Sequence, residues 1–236
     1  MITEPISYSG SSKKLVEKFN SKRKKNSTYW DSEEVAALKK EIKDYYKKKQ
    51  NYTCSYCNQR IKVRHNASWD TEHVVPRKSH PQFMFEPKNL CIACKDCNTE
   101  KGDVNVLKNR LRKTYPDKSS DFLIMHPHFD EYREHIWILL ENIYIARSKK
   151  GRYTIEKCGL LRFALEKLNW AGILARKPEL IEIYSEAHSS IDEAIQDHLL
   201  LQMLAIAEIK VTVSLQQKLE RGAASARTRS SKRSIK

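Results

Sequence analysis

Apolar positions along the chain switch between helical spacing and short runs, and the switches outline the elements. Leu15, Val16 and Phe19 sit at near-helical spacing between two basic clusters, Lys13-Lys14 and Lys22-Arg23-Lys24-Lys25. Val35, Leu38, Ile42 and Tyr45 share one face of a second predicted helix. Asp31 or Ser32 would cap it, Glu33 and Glu34 would fill its first turn, and Lys47-Lys48-Lys49 would close it where cations suit the helix dipole; the region reads equally as amphipathic packing and as a basic arm along a phosphate backbone. Thr71 to Val75, rich in β-branched residues and stopped by Pro76, reads as a strand. A second short strand opens at Asn89-Leu90, and Cys97-Asn98 leads into a helix that continues over Asp103 to Arg112, ending near Tyr115-Pro116. Phe122 to Met125, His135 to Leu140, Asn142 to Ala146 and Tyr153 to Ile155 read as short strands, the last after a turn signal at Ser148 to Gly151.

Cys158 to Lys167 reads as a helix, with Leu161, Ala164, Leu165 and Leu168 on one side. From Pro178 a stripe of Ile181, Tyr184, Ala187 or His188, Ile191 and Ile195 predicts a long helix. Leu199 to Leu219 is apolar on more than one face, so its burial requires this chain's core or another subunit. The tail from Arg221 is basic, Ser-rich and without apolar periodicity, a composition expected to stay disordered unless bound. The apolar run from Leu199 to Ile209, broken by Gln202 and Glu208, is too short to span a bilayer, so no membrane association is expected.

The chain has 236 residues and a net charge of +15. Residues 1–113 and 221–236 carry most of the positive excess, while 178–220 is acidic. A basic half suits a phosphate-binding surface, although a solvated, solubility-promoting surface accounts for basicity alone nearly as well. The acidic segment suits a protein interface better than a nucleic-acid one. The opening MITEPISYSG has no charged segment followed by an apolar one, so no signal peptide is expected. Paired cysteine spacing then reads as metal ligation in a reducing, cytoplasmic setting rather than as a disulfide framework.

Cys54-x-x-Cys57 and Cys94-x-x-Cys97 offer four thiolates, the donor set of a closed structural Zn²⁺ site; redox-active cysteines are the alternative. The segment between the pairs exceeds that of a simple zinc ribbon, so the metal would clamp the base of an inserted unit. Cys91 and Cys158 are left over and read as buried apolar residues. Inside the insert lie Glu72-His73 on the first strand and Asn89 opening the second, and Asn98 follows the second cysteine pair.

The ordered set D-T-E-H-V-V-P, N-L and C-K-D-C-N-T-E-K-G, over Cys54 to Gly102, resembles the HNH endonuclease family with its ββα-metal site. The resemblance implies an α+β fold, mainly helical: a central ββα-metal core pinned by a four-cysteine zinc site, with helical N- and C-terminal extensions. It implies His73 as the base that activates water, and Asn89 as the residue that holds the loop and orients that base. It implies Glu72 and Asn98 as ligands of a catalytic Mg²⁺ or Mn²⁺, a hard cation that takes oxygen donors. Two positions depart from the usual pattern. Glu72 stands where Asp or His is usual, which can shift metal position or preference, and Asn98 stands where His is common. Asp70 is a candidate for the metal's surroundings, although a strand-edge acid is the plainer reading. Lys101, one turn past Asn98, with Arg77 and Lys78, is expected against phosphate; a solvated helix face is the plain alternative for Lys101.

These readings divide the chain into a basic helical region (1–50), the nuclease core (51–115), an α+β extension (116–177), a helical partner-binding or packing segment (178–220) and the tail (221–236). His126, His128, Asp130 and His135 form a second polar cluster without a recognisable ligand set, and a structural or substrate-positioning role is expected of it. The run H-P-H-F-D, then G-x-Y-T-I and a Leu-rich helix, is similar to HNH proteins of bacterial anti-phage defence, including Septu-type and retron-linked nuclease subunits that accompany an ATPase. That similarity implies an ABC- or SMC-type ATPase partner, with foreign DNA or RNA as target. The leading expectation is a metal-dependent DNA endonuclease. An RNA endonuclease using the same site and a non-catalytic zinc module that binds nucleic acid are the alternatives, and oligomerisation through the C-terminal helices is a further expectation.

Overall fold

The computed structural model describes residues 1–61, 68–139 and 142–163. The expectations for 178–220 and for the tail lie outside the described residues, as does most of the helix expected from Cys158 to Lys167.

Helix α1 (Gly10–Asn20) buries Ser12, Val16 and Phe19. Phe19 stacks on Tyr29 and meets Phe85 edge-on, with centroids 5.1 Å apart in each case. A short 3₁₀ turn (Glu33–Val35) leads into α2 (Ala36–Lys49), and the expected cap is not formed: the Ser32 hydroxyl donates to the Tyr29 carbonyl and Val35 stands before the helix. Its buried face is Leu38, Ile42 and Tyr46, so Tyr46 takes the inward place expected of its neighbour Tyr45. The Tyr46 hydroxyl donates to the Pro87 carbonyl at 2.6 Å and accepts from the Ile6 amide at 3.1 Å. A buried phenol thereby satisfies two backbone groups and pins the N-terminal segment to the loop before the second strand.

β1 (Trp69–His73) and β2 (Leu90–Cys94) pair antiparallel, with Trp69 opposite Cys94 and His73 opposite Leu90. Helix α3 (Lys95–Lys101) follows β2 directly and packs on both strands. This ββα unit starts and ends differently from the sequence expectation. The first strand begins at Trp69, and the helix starts at Lys95, before Cys97. It also stops at Gly102, whose φ of +47° takes the chain out of helical geometry at little cost to glycine. The expected continuation over Asp103 to Arg112 is therefore absent. Val106 and Leu107 bury against residues 121–123 instead: Leu107 bridges Phe122, and the Leu123 amide donates to the Val106 carbonyl at 2.8 Å. Phe122 to Met125 accordingly forms an isolated bridge rather than a strand.

Helix α4 (Tyr132–His135) leads into the hairpin β3 (Ile136–Leu139) and β4 (Ile143–Ala146), as the apolar runs predicted. Tyr153 to Ile155 is helical, not a strand, because it lies in α5 (Lys149–Lys157). Ser148 caps α5, its Oγ accepting from the Gly151 amide at 3.0 Å, so the apparent turn signal is a helix start. A Cβ at Gly151 would lie 1.8 Å from the His135 carbonyl oxygen, so α5 seats on the α4–β3 junction only with glycine there.

The result is a mixed α+β architecture: helices around small antiparallel sheets, with the two cysteine pairs at the base of the ββα unit. One buried apolar cluster runs from Ile2 and Phe19 through Leu38, Trp69 and Leu90 to Phe122, Tyr144 and Leu160.

Candidate metal centre and active-site cleft

Cys94 ends β2 and Cys97 lies in the first turn of α3, so strand end and helix start make one knuckle. Cys54 and Cys57 make the other, closed by Asn58 at φ +54°, whose amide donates to the Cys54 carbonyl at 3.0 Å. Gln50 joins this knuckle to β2: its Nε2 donates to the Ile92 carbonyl and Ser55 Oγ at 2.9 Å, and its Oε1 accepts from the Ile92 amide at 2.7 Å. The four buried Sγ atoms lie within 4.8 Å of one another, and Cys57 and Cys94 are 3.9 Å apart. A tetrahedral Zn²⁺ with Zn–S near 2.3 Å has edges of roughly 3.8 Å, so the thiols fit the ion. Arg162 Nη2 donates to Cys97 Sγ at 3.1 Å, bringing a positive charge to a group of thiolates. Cys91 and Cys158 are buried away from this cluster, and burial pushes both thiols well above their usual range, so they remain neutral core residues.

His73 lies at the opposite end of β1, roughly 14 Å of strand from the cysteine end. It is 6% exposed and packs edge-on against Trp30, centroids 4.5 Å apart. Its Nε2 is 3.1 Å from the Met84 carbonyl oxygen. A carbonyl only accepts, so Nε2 carries the proton and Nδ1 is left with the lone pair. Burial, helped by the charges of Arg77 and Lys101, pushes His73 down to about 3, and the ring is neutral near pH 7.

Asn89 is fully buried and holds the loop on both sides of that contact. Its Oδ1 accepts from the Val75 amide at 2.7 Å, and its Nδ2 donates to the carbonyls of Val75 at 3.1 Å and Phe83 at 2.9 Å. Val75 is two residues past His73, and Phe83 precedes Met84. One side chain therefore fixes both the imidazole's strand and its carbonyl partner.

Asp70 and Glu72 share a face of β1, two residues apart, and Asn98 and Lys101 share a face of α3, three apart. The docking of helix on strand pairs them in order. Asn98 Nδ2 donates to Asp70 Oδ2 at 2.8 Å. Lys101 Nζ lies 2.5 Å from Glu72 Oε1 and donates to the His73 carbonyl at 3.1 Å. Tyr56 also donates to Glu72 Oε1, at 2.9 Å. Asn98 thus meets Asp70 rather than Glu72. Lys101, 2% exposed, is an internal strut and does not present its ammonium to a phosphate as expected. Arg77 forms a two-pronged pair with Asp31, at 3.1 and 3.3 Å, and donates to the Ser27 carbonyl, which locks the turn carrying Trp30. Lys78 lies on the surface beside Asp103.

These groups border a cleft of about 620 Å³ between the ββα unit and α2. Asp70, Glu72, His73, Asn98 and Trp30 line it, with Lys39, Lys40 and Lys43 of α2 on its other wall. The sequence pattern did not single out Trp30, Tyr56, Arg162 or the α2 lysines as site residues. Only the i, i+4 spacing of Lys39 and Lys43, beside the apolar face of α2, carried a signal for any of them.

The His126–His128 cluster is structural. The Tyr115 hydroxyl donates to the Lys88 carbonyl at 3.2 Å and so accepts from His126 Nε2 at 2.8 Å, while His126 Nδ1 accepts from the His128 amide at 3.2 Å. His128 Nε2 donates to the Leu90 carbonyl at 2.8 Å, on the first residue of β2. Asp130 accepts from the His126 amide at 2.7 Å and pairs with Lys150 at 2.5 Å and with Ser119. Burial opposes its charge, but these bonds and one from His135 hold Asp130 far below the usual carboxylate range.

The family model described as HNH endonuclease matches residues 54–104. This segment, with its two strands, helix and Cys-based metal-binding cluster, belongs to the HNH endonuclease family. Comparison with curated proteins and with solved structures gives no match. No helix among the described residues is long and apolar enough to cross a membrane.

Proposed function

We propose that the protein is a metal-dependent endonuclease that hydrolyses phosphodiester bonds, with DNA as its substrate. The observation that carries this reading is His73: a buried, neutral imidazole with Nε2 tied to the Met84 carbonyl and the Nδ1 lone pair left unprotonated, beside a cleft with oxygen donors on one wall and lysines on the other. In this reading His73 Nδ1 takes a proton from the attacking water. Asn89 keeps the ring's carbonyl partner in place. Asp70, Asn98 and the remaining Glu72 oxygen are hard donors suited to Mg²⁺ or Mn²⁺; Glu72 Oε1 is already engaged by Lys101 and Tyr56. When bound, such a cation would neutralise phosphate charge and assist the leaving oxygen. Zinc on Cys54, Cys57, Cys94 and Cys97 would hold the fold and take no part in chemistry.

The test is cleavage of plasmid DNA and of tRNA with Mg²⁺ or Mn²⁺, comparing wild type with His73→Ala. Wild type should nick plasmid, and the variant should be slower by about 10²–10⁴-fold. Equal cutting by both would remove His73 from the chemistry, and cleavage of tRNA alone would move the substrate to RNA. The similarity to anti-phage nuclease subunits extends the proposal to an ATPase partner of ABC or SMC type. Co-purification with ATPases encoded beside it tests that, and light scattering on the full chain tests self-association.

A further inference from the structure

The matched segment, 54–104, supplies only one wall of the cleft; the other is α2. Its inner face, Leu38, Ile42 and Tyr46, is committed to the core, and the neighbouring stripe turns Lys39, Lys40 and Lys43 to the cleft. Most other cations here are spoken for. Lys101 pairs with Glu72, Arg77 with Asp31, Lys78 with Asp103, Lys47 with Asp44 and Lys150 with Asp130. Among the described residues neither Lys39 nor Lys40 forms an ion pair.

The charges around the cleft follow from that pairing. Arg77 offsets Asp31, and Lys101 offsets Glu72. The α2 lysines then face Asp70, and the charges of Lys39 and Lys40, unpaired among the described residues, leave a positive excess beside a reactive wall. Lys39, Lys43 and Lys47 are also spaced i, i+4, where like charges disfavour the helix. Lys43 is half-buried, so its charge is partly desolvated. A polyanion in the cleft relieves both costs.

We propose that Lys39, Lys40 and Lys43 form a phosphate clamp that holds one backbone strand of the nucleic acid against His73 and Asp70, so that α2 completes the substrate site. This rests on the endonuclease reading above. Lys39 and Lys43 are separated by about 6 Å of helix rise, so the clamp addresses a short run of backbone rather than a single phosphate. Its contacts are to phosphate, so it contributes affinity and register without base selection.

The test uses full-length His73→Ala protein, to prevent cleavage, and a fluorescein-labelled DNA duplex read by anisotropy across a salt series. The triple change Lys39→Gln, Lys40→Gln, Lys43→Gln should weaken binding at least about 10-fold and flatten the log K against log salt slope by about 2 to 3, near one per lost phosphate contact. Lys24→Gln with Lys25→Gln, a basic pair that does not line the cleft, should change the slope by less than about one. If the triple variant melts early, the exposed Lys40→Gln alone should still flatten the slope by about one. Unchanged affinity and slope in a folded triple variant would overturn the clamp. Where wild type still cuts DNA in a His73-dependent way, that result leaves the endonuclease reading standing; wild type that neither binds nor cuts DNA or RNA sinks both.

Discussion

Lys101 and Glu72 form an ion pair at 2.5 Å with side chains 1% and 5% exposed. The pair joins α3 to β1 beside the His73 carbonyl, to which the same ammonium donates. A lysine in the helix after the second cysteine pair is thus part of the frame that sets the imidazole's backbone. Removing one partner strands the other charge in the core. Lys101→Met should cost about 3–5 kcal/mol in urea denaturation. Lys101→Met combined with Glu72→Gln keeps an acceptor for Tyr56 and should recover at least half of that loss. Equal stability of the single and double variants would show that the pair does not carry this load.

Arg162 reaches the cysteine cluster from beyond α5 and places N–H groups on Cys97 and, more distantly, Cys94. Donors to thiolates lower their tendency to protonate and hold the ligand geometry. Arg162→Ala should weaken zinc retention by about 10–100-fold in competition with a chromophoric chelator, and Arg162→Lys by less. Indistinguishable zinc release from the three proteins would exclude this support. Cys94→Ser should go further and unfold the unit, since ligation contributes directly to folding.

His126 and His128 are neutral in the fold because burial pushes both below their ordinary range, His126 most strongly. The unfolded chain takes up protons near pH 6.5, and the folded one does not until lower pH. Stability is therefore full above about pH 6.5 and falls as the pH drops, by up to about 1.4 kcal/mol per pH unit for each histidine. The Asp130 contribution runs with a different window: its depressed acid is lost only below the usual carboxylate range, near pH 4. Thermal melts should show the midpoint declining between pH 6.5 and 5, and His128→Asn should reduce the decline. A flat midpoint over that interval would contradict neutral burial.

Gly151→Ala tests the seat of α5. The added Cβ meets the His135 carbonyl, a backbone atom that cannot rotate away. The hairpin junction must shift, at a cost of about 1–3 kcal/mol read by denaturant midpoint. A neutral result would mean that α5 can lift from the α4–β3 junction without loss.

Local pattern misleads where a side-chain cap or a close backbone contact outweighs it. Tyr153 to Ile155 has strand-like composition, yet Ser148 supplies a cap and Gly151 permits the approach, and the segment is helical. The helix through Asn98 was legible, but its end was not, because Gly102 reads as a tolerated glycine until its φ is known. In sequence, His126, His128 and Asp130 form a polar cluster without a ligand set, which leaves a structural or a substrate-positioning role. Their hydrogen bonds run to the Tyr115 hydroxyl, the Leu90 carbonyl and the His126 amide, partners that no spacing rule reveals.

Sequence by itself determined the cysteine frame, the strand–strand–helix order and the presence of His73, Asn89 and Asn98, because ligand identity and short spacing are local properties. Helix period also puts Lys101 one turn past Asn98, whereas the strand read from Thr71 leaves Asp70 at its edge. Only the tertiary structure decided which of these meet. The register of α3 on β1 gives Asp70 to Asn98 and seals Glu72 with Lys101, and the packing of Leu38, Ile42 and Tyr46 brings lysines from outside the ββα unit to the cleft. Those outcomes depend on how separate elements dock, which no single stretch of chain encodes.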